Sequence, residues 1–340
     1  QGTFWVNLPD FTSSVESIQL NRGVGTSTNG AGAFGASLNL STQGISNQAF
    51  GEISSSVGSF GTLKNTVKFS TGLLNDHFEL SGRVGTIVSD GYIDRASSDL
   101  KSYFFQGLFK DENTLIKVLT FGGKEITYQS WYGVDPGTLA ADRQYNPAGI
   151  IMDDSGAISG YYDNQVDNYQ QDHFQFHWTQ QYSNLWSSNL GLNYTNGRGY
   201  YEEYNNGNGF DYLQLNPVTV GGETINSTHN ITRKWLDNDF YVATFSVNYD
   251  DDRTNAVFGG SYSNYSGAHF GNLIWAQYSS NAAPNHRFYE SDATKKDFNI
   301  YAKITHQIGT DWTVYADLQH RNINYSTEGT VKGPAPISID

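Results

Sequence analysis

The sequence holds eight histidines and the paired carboxylates Asp153-Asp154 and Glu202-Glu203, the residue types from which metal sites and acid–base catalysis are made. Their spacing supplies neither. His173 and His177 fall in a stretch where apolar residues alternate, so on a strand they share one face yet stand roughly 13 Å apart, too far to chelate one ion. His269 and His286 lie in one long inter-strand stretch, but no spaced Asp or Glu joins them there. The two carboxylate pairs are chain neighbours, without the separation that two-carboxylate chemistry requires. Acidic turns such as Asp250-Asp251-Asp252 lack the D-x-D-x-D-G series and closing Glu of a calcium loop. Gly30-Ala-Gly32-Ala-Phe-Gly35 matches G-x-G-x-x-G, yet a pyrophosphate site needs a helix after the glycines, and a strand pattern follows. With no cysteine there is no thiolate zinc site, thiol nucleophile or disulfide framework. The expectation is a chain without enzymatic activity, metal or cofactor.

Recognition chemistry is better represented. Aromatic side chains make up 15% of the chain and collect in the stretches between strands, where Tyr and Trp offer contact area with a polar tip. The ligand-binding candidates are Trp131, Tyr132, Tyr161 and Tyr162 in one such stretch and Tyr200, Tyr201 and Tyr204 in the next. Trp186 and Trp312, at strand starts, fit an interface girdle instead. A net charge of −14 excludes the phosphate-neutralising surface of a nucleic-acid protein.

Nearly everything that positions these residues reads as strand, because apolar residues recur at every second position between Gly, Asn, Asp and Ser breaks. Phe174, Phe176 and Trp178 take one face while His173, Gln175, His177 and Thr179 take the other. About eleven strands are expected, at 48–58, 62–73, 77–89, 99–109, 114–123, 169–181, 186–197, 237–249, 255–263, 292–307 and 312–326. The polar face includes Glu52, Lys64, Lys68, Glu79, Arg83, Asp172, Lys303, Asp317 and Arg321. Connections are short at 75–76, 111–112, 183–184, 250–252 and 309–310 and long at 124–168, 198–236 and 264–291. Such alternation of short turns and long loops belongs to transmembrane antiparallel β-barrels. Bacterial barrels have even strand numbers, so an odd count, with the proline-containing tail at 334–340 read as the start of another loop, implies a further half of the barrel.

The stretch VESIQLNRGVGTSTNGAGAFGASLNLST (15–42) resembles the C-terminal end of the plug domain of TonB-dependent outer-membrane receptors, and YYDNQVDNYQQDHFQFHW (161–178) and NGRGYYEEY (196–204) resemble their barrel. The resemblance implies an all-β fold, half of a 22-stranded barrel with the end of a plug inside. The expected division is 1–44 for the plug end and 45–340 for the barrel. It implies active uptake of a scarce solute (ferric siderophore, haem, cobalamin, glycan or peptide) across the outer membrane. Expected partners are the TonB complex, through a coupling box outside this chain, lipid and lipopolysaccharide, and the remaining half of the barrel, with room for a surface lipoprotein. Glu16 and Arg22 match residues that seat the plug against the barrel wall. The alternatives are a passive porin or adhesin barrel, and a soluble secreted carbohydrate-binding β-protein.

Overall fold

The computed structural model describes residues 7–30, 35–42, 44–330 and 336–339. Part of the glycine-rich stretch, 31–34, lies outside them, but Ala36–Thr42 (β2) follows it as a strand paired with Val15–Arg22 (β1), so no helix stands where a pyrophosphate would need one.

Twelve strands form one antiparallel sheet in which each pairs with its neighbours in the chain. They are Phe50–Val57 (β3), Leu63–Ser70 (β4), Phe78–Ser89 (β5), Ser98–Lys110 (β6), Thr114–Tyr128 (β7), Val166–Gln181 (β10), Trp186–Gly209 (β11), Ser227–Asp250 (β14), Thr254–Ala276 (β15), Arg287–Ile308 (β16), Trp312–Thr330 (β17) and Pro336–Ile339 (β18). Two small hairpins, Ile150–Met152 with Ile158–Tyr161 (β8, β9) and Val218–Val220 with Glu223–Ile225 (β12, β13), and the short helix Pro136–Ala141 (α1) decorate the connections at one end.

At the opposite end the turns are tight. Asn75 and Asp76, at φ 50° and 62°, occupy the two central positions of a turn closed by His77 N–H to Leu74 O, the left-handed pair that matches strand twist. The expected strand boundaries at this end agree with the structure to within a few residues. At the other end the strands run on: β11 and β14 each have 24 residues, about twice what a bilayer crossing takes. Much of the expected loops at 198–236 and 264–291 is therefore strand. Hydrophobic alternation stops there because both faces carry polar groups, Arg198, Tyr200 and Glu202 on one side and Tyr201 and Glu203 on the other, while ladder pairing continues. The tail also departs from expectation: residues 336–339 pair with β17, with Pro336 at the first position, where an edge strand tolerates the missing N–H.

One face of the sheet is apolar and bare. Leu80, Val118 and Leu318 are 57%, 56% and 74% exposed, and Phe105, Phe174, Leu192 and Tyr241 share their face. Trp186 and Trp312 start β11 and β17 at the tight-turn end. The other face buries Arg83, Glu79, Gln106, Phe104 and Phe121. Of the charged residues expected there, Asp172 is the exception: it lies beside Phe174's row on the apolar face, its carboxylate accepting from the Tyr103 hydroxyl at 2.7 Å. Among the described residues no helix is long and apolar enough to cross a membrane.

Candidate functional site

The polar face receives the start of the chain. Phe11 packs on Phe121 with ring centroids 4.8 Å apart, and Leu8 joins it against Phe104 and Leu119. Next to this apolar contact, Asp10 accepts from Lys64 Nζ at 2.6 Å and from Arg83 Nη1 at 3.0 Å, with the Asp10 and Arg83 side chains each 4% exposed. Arg83 also donates from Nε to Ser14 Oγ at 2.6 Å and from Nη1 to Ser102 Oγ at 3.0 Å. A charge this deeply buried needs such partners, and the guanidinium fork supplies several donors at fixed angles. Asp10 adopts φ 52°, a left-handed position that Asp tolerates better than most residues, and this turns its carboxylate toward the wall.

Three further contacts hold the segment that follows. Ser27 N–H donates to Asp317 Oδ2 at 3.0 Å, and Lys303 Nζ donates to Thr28 Oγ1 at 3.4 Å, tying the β1–β2 hairpin to β16 and β17. Ser46 N–H donates to Glu79 Oε2 at 3.2 Å, and Glu79 is itself fixed by Ser70 Oγ at 2.6 Å. The expected seating residues Glu16 and Arg22 both lie on β1. Glu16 caps Gly44 N–H at 2.8 Å, and Arg22 is exposed; among the described residues neither pairs with the sheet. Asp10, Phe11 and Ser14 were not singled out in the sequence because they stand before the glycine-rich motif in a stretch without periodicity.

Directly opposed strand residues share a face, so the aromatic candidates can be sorted. Tyr201 faces inward with Phe121's row, opposite Lys234, whose Nζ lies 5.0 Å from the Tyr201 ring centroid and 2.5 Å from Glu203 Oε2. Tyr132 donates to Gln129 Oε1 at 3.1 Å, and burial together with the charge of Glu203 raises its phenol above the ordinary value. Trp131 packs beside it at a tilt, with ring centroids 6.4 Å apart, and is 57% exposed. Of the other four, Tyr162 and Tyr204 hold the 129–165 connection to the outer side of β11, Tyr161 meets the β5–β6 connection, and Tyr200 meets β14. Tyr162 donates to Glu202 Oε1 at 2.5 Å, and burial first and this bond second push its phenol up. Tyr204 packs at a tilt against Tyr162 and bonds His229 Nδ1 at 3.1 Å; Tyr200 packs on Trp235 under Arg233; Tyr161 lies beneath Arg95 at 3.7 Å. Glu202, fully buried, also accepts from Asn164 Nδ2 and Arg233 Nε.

Gln129 links the two sides. Its buried side-chain amide donates to Glu202 O at 2.9 Å, and its backbone carbonyl accepts from Asn146 Nδ2 at 2.9 Å. No sequence pattern marks it. Among the described residues no group of three His, Asp or Glu side chains is placed to hold a metal ion; His286 instead bonds Leu213 O at 2.8 Å.

A sheet of consecutive antiparallel strands, tight turns at one end, long connections at the other and a leading segment held on its polar face together define an architecture that can be compared with known structures. The ferric-catecholate import receptor Fiu of E. coli K12 superposes with a TM-score of 0.66 at 13% identity, covering 97% of this chain and 51% of its own. This chain has the fold of the TonB-dependent receptors. The siderophore receptor PiuA of Acinetobacter baumannii gives a TM-score of 0.65 at 12% identity over 96% of this chain and 50% of its own. The ferripyoverdine receptor of the Pseudomonas aeruginosa outer membrane gives 0.63 at 11% over 96% and 43%. The chain thus spans about half the length of the solved receptors it matches. No family model matches the sequence, and no curated protein matches it. Within this fold the leading segment lies on the polar face of the sheet, and the apolar face is bare.

Proposed function

We propose that this chain is the plug end and leading barrel portion of an outer-membrane receptor that imports a ferric siderophore with energy delivered through TonB. The observation that carries the reading is the buried ionic latch of Asp10 with Lys64 and Arg83, which fastens the plug end inside the wall. A passive pore has no need of a fastened plug, whereas an energy-coupled receptor needs one whose seating differs between ligand-free and ligand-bound states. Solved receptors of this fold, one importing ferric catecholates and one bound to ferripyoverdine, support the choice of solute class. The inward-facing Tyr132 and Tyr201, with Trp131, Lys234 and Glu203 around them, are the proposed ligand contacts. Tyr161, Tyr162, Tyr200 and Tyr204 brace the rim. Glu16 and Arg22 are proposed to meet barrel strands beyond this chain.

The test is uptake of radiolabelled ferric catecholate, ferric citrate and ferripyoverdine by cells whose complete native protein is the only receptor present. The proposal expects accumulation of at least one complex that a protonophore abolishes. Uptake that persists in the uncoupled cell would overturn energy coupling, and failure of every iron complex would overturn the solute class.

A further inference from the structure

The 129–165 connection is closed at its base by three buried amide side chains, Gln129, Asn146 and Gln165. Gln129 N–H donates to Gln165 O at 2.9 Å, joining the end of β7 to the start of β10. Asn146 Nδ2 donates to Gln129 O and to Asp94 O, each at 2.9 Å, while Asn146 Oδ1 accepts from Ala148 N–H at 3.0 Å. Gln165 Oε1 accepts from Tyr204 N–H at 2.8 Å, so the base is also tied to β11.

The Gln129 side chain stands at the centre of this set. Its Nε2 donates to Glu202 O at 2.9 Å and to Val166 O at 3.3 Å, which commits both amide protons to backbone carbonyls. Among the described residues its Oε1 accepts only from the Tyr132 hydroxyl, at 3.1 Å. Tyr132 is 40% exposed, whereas the three amides it leads to are buried. A tyrosine hydroxyl has one proton to donate. While that proton goes to Gln129, a fully buried acceptor is satisfied; when it goes elsewhere, the acceptor is orphaned, a state that buried amides avoid. The amide then turns to find another donor, and Nε2 leaves Glu202 O and Val166 O as it does so. The inward-facing hydroxyl thus holds bonds on the far side of Gln129 that it does not touch.

Resting on the reading of Tyr132 as a ligand contact, we propose that Gln129 is a positioning residue that makes closure of the 129–165 connection depend on where the Tyr132 hydroxyl donates. A ligand whose oxygens accept from Tyr132 withdraws that proton from Gln129 and loosens the base of the connection without contacting it. The test uses the complete receptor in detergent and hydrogen exchange read by mass spectrometry over 144–149 and 162–166, with 114–122 of β7 as the internal reference. Tyr132→Phe keeps the ring and removes the hydroxyl; Gln129→Met keeps the length and removes all three side-chain bonds. The proposal expects Tyr132→Phe to speed exchange at both stretches roughly fivefold or more, Gln129→Met to speed it at least as much, and the double variant to match Gln129→Met. Unchanged exchange in Tyr132→Phe, or single effects that multiply in the double variant, would overturn it. Where Gln129→Met does not fold, Tyr132→Phe decides by itself. Wild type and Tyr132→Phe are then compared with and without a ferric catecholate, ferric citrate and ferripyoverdine. A complex that binds is expected to speed exchange at the base of wild type by about threefold or more and to leave Tyr132→Phe unchanged. Binding that leaves wild type unchanged, or that speeds both proteins alike, would overturn the link to the ligand. Failure of all three complexes to bind would instead overturn the solute class proposed above, and the ligand-free variants still decide for or against Gln129.

Discussion

Replacing Asp10 by Asn removes one charge from the latch and leaves the shape of the side chain and its left-handed backbone intact, since Asn tolerates φ near 52° as Asp does. Arg83, with its side chain 4% exposed, loses its anion but keeps Ser14 and Ser102 as acceptors, while Lys64, 35% exposed, regains water. Breaking a buried pair from one side costs about 3–5 kcal/mol, and these compensations place Asp10→Asn near the lower end, about 3 kcal/mol. That is on the order of a hundredfold in the ratio of seated to unseated plug end. Hydrogen exchange read by mass spectrometry on the complete receptor resolves it: the amides at 7–14 exchange about a hundredfold faster in the variant, with β10 and β11 unchanged. A cycle with Arg83→Met isolates the pair, and the double variant is expected to cost less than the sum of the two singles. Less than a threefold change in exchange at 7–14 would refute the argument that this ion pair fastens the plug.

Gly85→Ala sets a methyl 2.9 Å from Arg83 Nη1 and 3.1 Å from Asp10 Oδ2, so it is expected to loosen the same segment by about 1–3 kcal/mol, visible as faster exchange at 7–14. Phe11→Ala removes the ring packed on Phe121 and is expected to cost about 2 kcal/mol of seating, since Phe11 is only half-buried, measured in the same way. Glu202→Gln takes the anion from Arg233 and weakens the acceptor for Tyr162 and Asn164; limited proteolysis should then cut within 129–165 at least tenfold faster, with the barrel intact. In the turn at 251–253, the Tyr249 hydroxyl and the Arg253 and Thr254 amides hold the Asp251 carboxyl down to about 2. Because the folded value lies below the unfolded one, the turn's stabilisation is whole above about pH 4 and fades as pH falls through about 2; Asp251→Asn should remove that pH dependence from exchange at Thr254.

Strand identity and the placement of tight turns were legible because a membrane-facing strand keeps strict alternation and a turn must use Asn, Asp or Gly. The β4–β5 turn at Asn75-Asp76 and the faces of Phe174 and His173 follow directly from this. Beyond Tyr194 the same strand carries Arg198, Tyr200, Tyr201, Glu202 and Glu203, and with both faces polar no period marks it, so Tyr200, Tyr201 and Tyr204 were expected in a loop. Asp172 was set on the wrong face because charge outweighed position, although it shares Phe174's parity. Edge pairing at 336–339 was hidden by Pro334 and Pro336 in the sequence. The latch was illegible for another reason: Asp10, Lys64 and Arg83 meet only through tertiary structure, and nothing local to any of them marks the partner.

The central claim is that this chain is part of a closed, plugged barrel in a membrane, and the mass and electrophoretic behaviour of the complete native protein test it most directly. The account predicts a single species of at least about twice this chain's mass, extracted only with detergent, that migrates compactly unheated and slower after boiling. A water-soluble folded monomer of 37.7 kDa would contradict it.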